Sequence, residues 1–251
     1  MRSLAVALTT FFALLSSRVA LAGCDHPYFP LKEAQTRVFK SSSGHETRWK
    51  VTKVEGAKAT IETTSVQTKD ADPKSAPSAT SMVVECTGDG IVLDLSKMTG
   101  GGQTGGGMEV KVVKHSGVTI PAAGKMKAGE TFESTQSIEM TNARLKQPMH
   151  MEGRTTSKII GAEKVKVAAG EFDAMRIESE TQMTMQMPDR PGKPAGAAGA
   201  MTMTSKGVLW VVKGVGMVKS EQTVAGMSMP GGAAPEGSGT TVASELVSYS
   251  K

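Results

Sequence analysis

The sequence predicts an all-β protein: a strongly curved antiparallel sheet, or an open β-barrel, of about a dozen strands. Three observations carry this. First, apolar and polar residues alternate with a period of two. The longest such run, Phe172–Met187, sets Met175, Ile177, Met183, Met185 and Met187 against Arg176, Glu178, Glu180, Gln182 and Gln186. Second, clusters of Gly, Pro, Ser and Asp punctuate these runs at short intervals. Third, no stretch after residue 23 joins a 3.6-residue apolar period to capping residues, and nothing reads as βαβ, so helical bundles and doubly wound sheets are disfavoured.

In chain order, His26-Pro27-Tyr28-Phe29-Pro30-Leu31 is extended, because two prolines forbid a helix, and it carries apolar side chains to bury. His26 itself reads as solvated. Thr36–Lys40 is a short strand and Ser41-Ser42-Ser43-Gly44 a turn. Arg48–Val54 alternates with Trp49, Val51 and Lys53 on one side, and Lys58–Gln67 is a strand by its β-branched content. Met82–Thr87 and Ile91–Leu95 flank Gly88-Asp89-Gly90, a hairpin signal. Met108–Val113 and Val118–Ile120 continue the strands. Thr131–Thr141 puts Phe132, Ile138 and Met140 on one face. Met149–Ile160 and Lys164–Val167 follow, separated at Gly161-Ala162. Phe172–Met187, Met201–Val212, Met217–Val224 and Val242–Tyr249 complete the set. Four polar or Gly/Pro-rich segments, 67–80, 98–107, 188–200 and 225–239, read as mobile loops.

Residues 1–23 read as an export signal: Arg2, then an apolar Leu4–Leu15 too short to cross a bilayer as a helix, then small residues. Leu21-Ala22-Gly23-Cys24 resembles a bacterial lipobox, in which the Cys24 thiol receives a diacylglycerol. Ala20-Leu21-Ala22 equally fits simple cleavage. The two cysteines, Cys24 and Cys86, separate the readings. Lipidation of Cys24 leaves Cys86 alone, whereas simple cleavage lets the two pair in an oxidising compartment. The expected organisation is therefore a signal (1–23), a lipidated tether (24–35) and one β domain (36–251), anchored to the membrane and facing the periplasm or the outer surface. The alternative is a soluble exported protein with a Cys24–Cys86 disulfide. After residue 23 the chain carries 27 Lys and Arg against 24 Asp and Glu, dispersed, for a charge of +3. That offers no nucleic-acid footprint.

Three segments together carry a family resemblance. They are Tyr28-Phe29-Pro30-Leu31-Lys32-Glu33, Val167-Ala168-Ala169-Gly170-Glu171-Phe172-Asp173-Ala174, and Trp210 followed by Gly214-Val215-Gly216-Met217-Val218. In order and spacing they resemble the TapB family of exported bacterial proteins, although Glu33-Ala34-Gln35 departs from its opening. The resemblance implies a curved antiparallel sheet similar to the LolA and LolB lipoprotein carriers, and it implies no catalytic residues.

The residues themselves show no HExxH, CxxC, phosphate-loop or nucleophile-elbow pattern, and none of His26, His45, His115 and His150 has a partner at metal spacing. No enzyme activity and no cofactor are expected. The unusual feature is methionine, with M-x-M stretches at Met149/Met151, Met183/Met185 (extended to Met187), Met201/Met203 and Met227/Met229. If Phe172–Met187 and Met201–Val212 pair with Met187 opposite Met201, then Met183, Met185, Met187, Met201 and Met203 form one patch. Thioethers suit a pliable apolar surface or Cu(I). The expected function is a non-enzymatic binding or carrier module for a lipid or other apolar ligand in the cell envelope. A structural envelope protein and a Met-rich Cu(I)-binding periplasmic protein are the alternatives.

Overall fold

Fifteen strands succeed one another in the computed structural model, which describes residues 24–67, 78–100, 109–141, 148–186, 200–225 and 239–250. β1 (Asp25–His26) and β2 (Phe29–Pro30) form a small hairpin. The first half of the main sheet is β3 (Thr36–Ser41), β4 (His45–Glu55), β5 (Lys58–Gln67), β6 (Ser78–Thr87) and β7 (Gly90–Gly100). Then come β8 (Glu109–Gly117), β9 (Ile120–Pro121) and β10 (Thr131–Thr141). The second half is β11 (Met149–Val167), β12 (Gly170–Gln186), β13 (Ala200–Val212), β14 (Gly216–Val224) and β15 (Thr240–Tyr249). Among the described residues the one helical turn is a 3-10 turn at Ala123–Lys125. The all-β expectation holds: alternating, β-branched strands hydrogen-bond to one another because no segment can bury a helical stripe.

Thirteen strands form one antiparallel sheet in the order β8-β10-β11-β12-β13-β14-β15-β3-β4-β5-β6-β7-β9. β15 pairs with β3, so the first and last strands of the main sheet in chain order lie side by side. The sheet is a meander with one join left unmade, between β7 and β8, and it is open there. Val118 and Thr119 carry the chain from β8, at one edge, to β9, which pairs with β7 at the other. The N–H of Thr119 donates to the Ile91 carbonyl and that of Ala122 to the Asp89 carbonyl, each at 2.7 Å. Two glycines make this crossing passable. Gly117 and Gly90 have φ of +79° and +143°, and a Cβ there would sit on the carbonyl oxygens of Glu133 and Ile120.

The sheet curls because its two halves share a core. Val51, Ala59, Ile61, Val84 and Ile91 of β4–β7 meet Ile159, Ile177 and Val211 of β11–β13 on the concave side. Phe29, Leu31 and Met126 cap this core at one end, hereafter the closed end. A second cluster joins Val165, Val167, Ala174, Trp210 and Val212 to Phe39 and Leu246. Both faces of β12 are thus covered near residue 175. A bulge in β11 between Ile159 and Gly161 switches which residues face each core, and the hairpin tip folds onto β15, where the Ala169 N–H meets the Leu246 carbonyl. The sequence placed a break at Gly161-Ala162, and the structure has one continuous strand with a bulge.

Other boundaries also move. A bulge between Val51 and Lys53 turns Lys53 outward and Val54 toward the core, against the alternation read from sequence. Gln67, Ser78–Thr80, 98–100 and Ala200 belong to strands, because ladder pairing recruits them. The remainder of the expected loops 67–80, 98–107 and 188–200, and all but Ala225 and Gly239 of 225–239, lies outside the described residues, as do residues 1–23.

Residues 24–31 pack on the domain through Phe29 and Leu31. Cys24 is bonded to Cys86 with their Cα atoms 5.3 Å apart. The structure thus holds the disulfide alternative, and a sulfur in that bond has no valence left for a lipid thioether. His26, expected in solvent, is buried. Its Nε2–H donates to the Pro121 carbonyl at 2.9 Å, and its Nδ1 faces the Tyr28 N–H at 3.3 Å, which requires the neutral ring. Burial lowers its pKa below 6.5. The Gly214 N–H donates to the Pro27 carbonyl. Arg37, 3 % exposed, donates to the carbonyls of Val215 (2.8 Å) and Pro30 (2.7 Å) and to Gln35 Oε1 (3.1 Å). Burial brings its pKa down to about 10, which leaves it charged at neutral pH. It ties the N-terminal segment to the β13–β14 turn.

Candidate functional site

β12 and β13 pair as the sequence predicts, with the register displaced by two. Met185 lies opposite Met201 and Met183 opposite Met203, where Met187 opposite Met201 was expected. Met187 itself lies outside the described residues. A displacement by two preserves the face of every side chain, so the thioether patch survives. β11 enlarges it: Met151 lies opposite Met185, and Ile138 of β10 opposite Met151. One row across the sheet therefore reads Ile138, Met151, Met185, Met201, and the next reads Gln136, Gly153, Met183, Met203. Neighbouring strands are about 4.8 Å apart, so these side chains are in mutual reach. All five methionines are half-buried.

Methionine is concentrated at one end of the concave face. Ile, Val and Leu dominate the buried core, where Met126 is the one fully buried methionine among the described residues, and Met82, Met175 and Met217 pack partly buried against the two cores. At the far end of the concave face every apolar position described on β12 and β13 is methionine. Between the aliphatic core and the thioethers runs a belt of small polar groups on the same face. Thr155 and Thr181 are hydrogen-bonded at 2.9 Å, Ser157 and Ser205 are buried, and Ser179 reaches the Gly207 carbonyl at 3.4 Å. Neither the period-two pattern nor the M-x-M pairs pointed to this belt, although Ser and Thr at odd positions of Phe172–Met187 were its sequence trace.

Charge is excluded from this surface. From Phe132, Ile159, Ile177 and Leu209 to the methionine end, register puts no Asp, Glu, Lys or Arg on the concave side of β10–β13 among the described residues. Glu133 and Arg154 (2.6 Å) and Glu139 and Lys111 (3.3 Å) pair on the convex side. His150 also points outward, with Nδ1 3.9 Å from Glu139, as its alternation with Met149 and Met151 predicts. His115 lies two strands from the thioethers, opposite Gln136. Near it a cleft of about 500 Å³ opens at the closed end of the β7–β8 seam, lined by Thr87, Asp89, Val92, Gly117 and Phe132. That cleft is mixed in character, with Val92 and Phe132 in its lining and Asp89 and Lys125 3.5 Å apart at its side. It shares Phe132 with the charge-free face and none of the five methionines.

No group of three or more His, Cys, Asp and Glu capable of holding a metal occurs among the described residues. The arrangement suits an uncharged, pliable contact surface: methionine has three rotatable bonds and a polarisable sulfur that adapts to the shape against it.

A family model described as DUF3108-like matches residues 40–225, and the chain belongs to that family. The match includes two of the three segments that resemble the TapB proteins and excludes the Tyr28 opening. No curated protein matches the chain. Among solved structures, the chain is similar to a protein from Bacteroides fragilis NCTC 9343 described as an inferred exported protein with a YmcC-like fold. That match has 15% identity and a TM-score of 0.52, covering 90% of this chain and 100% of the other. It is also similar to an inferred lipoprotein from Parabacteroides distasonis ATCC 8503, at 15% identity and a TM-score of 0.53, covering 90% of this chain and 99% of the other. At that identity the likeness concerns the fold.

Proposed function

We propose that this protein is an exported, non-enzymatic binding module of the bacterial envelope that holds an apolar ligand on the methionine end of its concave face. The observation that carries the reading is the concentration of methionine just described. A surface meant only to be packed needs no chemistry different from the rest of the core, yet thioethers replace Ile and Val where the face is half-exposed. Charge is kept to the other side of the same strands. A lipid chain or similar apolar group gains about 25 cal/mol per Å² of surface buried there. The hydroxyl belt marks where such a ligand would stop against the aliphatic core.

Export is part of the same reading. A disulfide persists in an oxidising compartment, and residues 1–23 have the parts of a secretory signal. The resemblance to the TapB proteins agrees with this. With Cys24 bonded to Cys86, the proposed form is soluble in the envelope space.

Native mass spectrometry tests the proposal. The freshly purified chain, or the chain after incubation with phospholipid vesicles, is expected to carry a lipid-sized adduct. The adduct should be lost from a Met183→Glu, Met185→Glu variant that keeps the parent's thermal midpoint. A clean ligand-free mass under both conditions would overturn it in favour of a structural envelope protein.

A further inference from the structure

We infer a Cu(I) site in the thioether lattice of β11–β13, formed by Met151, Met183, Met185, Met201 and Met203. The inference stands on the register and is independent of whether the same face carries an apolar ligand. Met183 faces Met203, Met185 faces Met201, and Met151 flanks Met185 on the other side. Five sulfurs thus start from adjacent positions on one face of three neighbouring strands. Directly opposed side chains in an antiparallel pair have Cβ atoms about 5 Å apart, and each Met sulfur lies two freely rotating bonds beyond its Cβ. Three of the five can therefore converge on one small ion without any backbone movement.

The chemistry selects the metal. Thioether is a soft, uncharged donor, suited to Cu(I) and poor for Zn²⁺, Ca²⁺ or Mg²⁺, which want imidazole, thiolate or oxygen. Among the described residues no carboxylate shares the face, so the face offers thioethers to an ion and no oxygen anion, and a monovalent ion needs less charge compensation than a divalent one. Gly153, opposite Met183, carries no side chain, and the uncharged Gln136 side chain lies over it. The thioether also suits the compartment. Where Cys24 and Cys86 are oxidised, thiolate ligands would be lost to disulfide, whereas a thioether cannot form one and needs no deprotonation to bind.

The test is a Cu(I) competition titration of the mature chain with its disulfide intact, against a chromophoric Cu(I) chelator, with ascorbate as reductant. One Cu(I) per chain is expected. Met185→Leu with Met203→Leu keeps the face apolar and close in volume, a change cores tolerate. It should weaken Cu(I) binding by at least about tenfold, the equivalent of about 1.4 kcal/mol, while leaving the thermal midpoint and any lipid adduct in place. Met126→Leu, in the closed-end core, should leave Cu(I) binding unchanged. Failure of the parent to compete for Cu(I), or equal binding by the double-leucine variant, would overturn the site. Neither result would touch the apolar-ligand proposal, which the leucine variant is expected to retain.

Discussion

Replacing Cys86 by Ser should lower stability by about 4 kcal/mol. The bond joins residues separated by 62 positions, and closing a loop of that length in the unfolded chain is worth about that much in the loop-entropy relation. The surroundings add to the expectation: Cys24 is 2 % exposed, and the bond fastens the segment that carries Phe29 and Leu31 into the concave core. A domain of this size loses about 2–4 °C of thermal midpoint per kcal/mol, so the variant should melt about 10 °C below the parent. Guanidinium unfolding can be followed through Trp49 and Trp210, which pack in the two cores. Cys24→Ser should cost the same, and the double variant no more than either, because both remove one bond. A reduced parent should behave like the variants. The reasoning fails if Cys86→Ser is as stable as the parent, or if the intact mass of the exported chain shows a diacylglycerol on Cys24.

Two further perturbations probe the closed end. Arg37→Ala strands the carbonyls of Pro30 and Val215 and the Gln35 amide oxygen in a buried site, and should cost about 3–5 kcal/mol in the same unfolding assay. His26 is held neutral by burial, so the unfolded chain binds a proton more readily than the folded one. Its contribution is therefore present above pH 6.5 and is lost as pH falls below it. Stability measured from pH 8 to pH 5 should decline for the parent, and the decline should be shallower in His26→Gln; equal slopes would remove His26 from the account.

Much of the fold was legible in period-two alternation, because a strand must put one set of side chains in the core whatever its neighbours do. The hairpin of β12 and β13 was found in this way, down to the face its methionines occupy. Its register was not, because register depends on how the connection closes and on the ladder β12 makes with β11, neither of which leaves a local trace. A shift of two was harmless to the candidate site, whereas a shift of one would have moved every methionine to the charged side. Bulges were invisible for a similar reason. At Val51/Lys53 and Ile159/Gly161 the extra residue is dictated by the curl of the whole sheet, and local composition predicted Lys53 inward and a break at Gly161. The N-terminal segment stayed ambiguous in the sequence because a Cys after small residues fits lipidation and pairing equally. Only the proximity of Cys86, brought there by the β6–β7 hairpin, separates them.

The central claim is that the methionine end of the concave face is a contact surface for an apolar ligand. Methyl-labelled methionine in solution reports on it directly, since Met151, Met183, Met185, Met201 and Met203 lie at the proposed surface and Met126 in the closed-end core. On titration with a long-chain lysophospholipid below its micelle concentration, the account predicts saturable shifts in those five methyl resonances and none at Met126. Methyl resonances that stay in place throughout, or that move only at Met126, would contradict it.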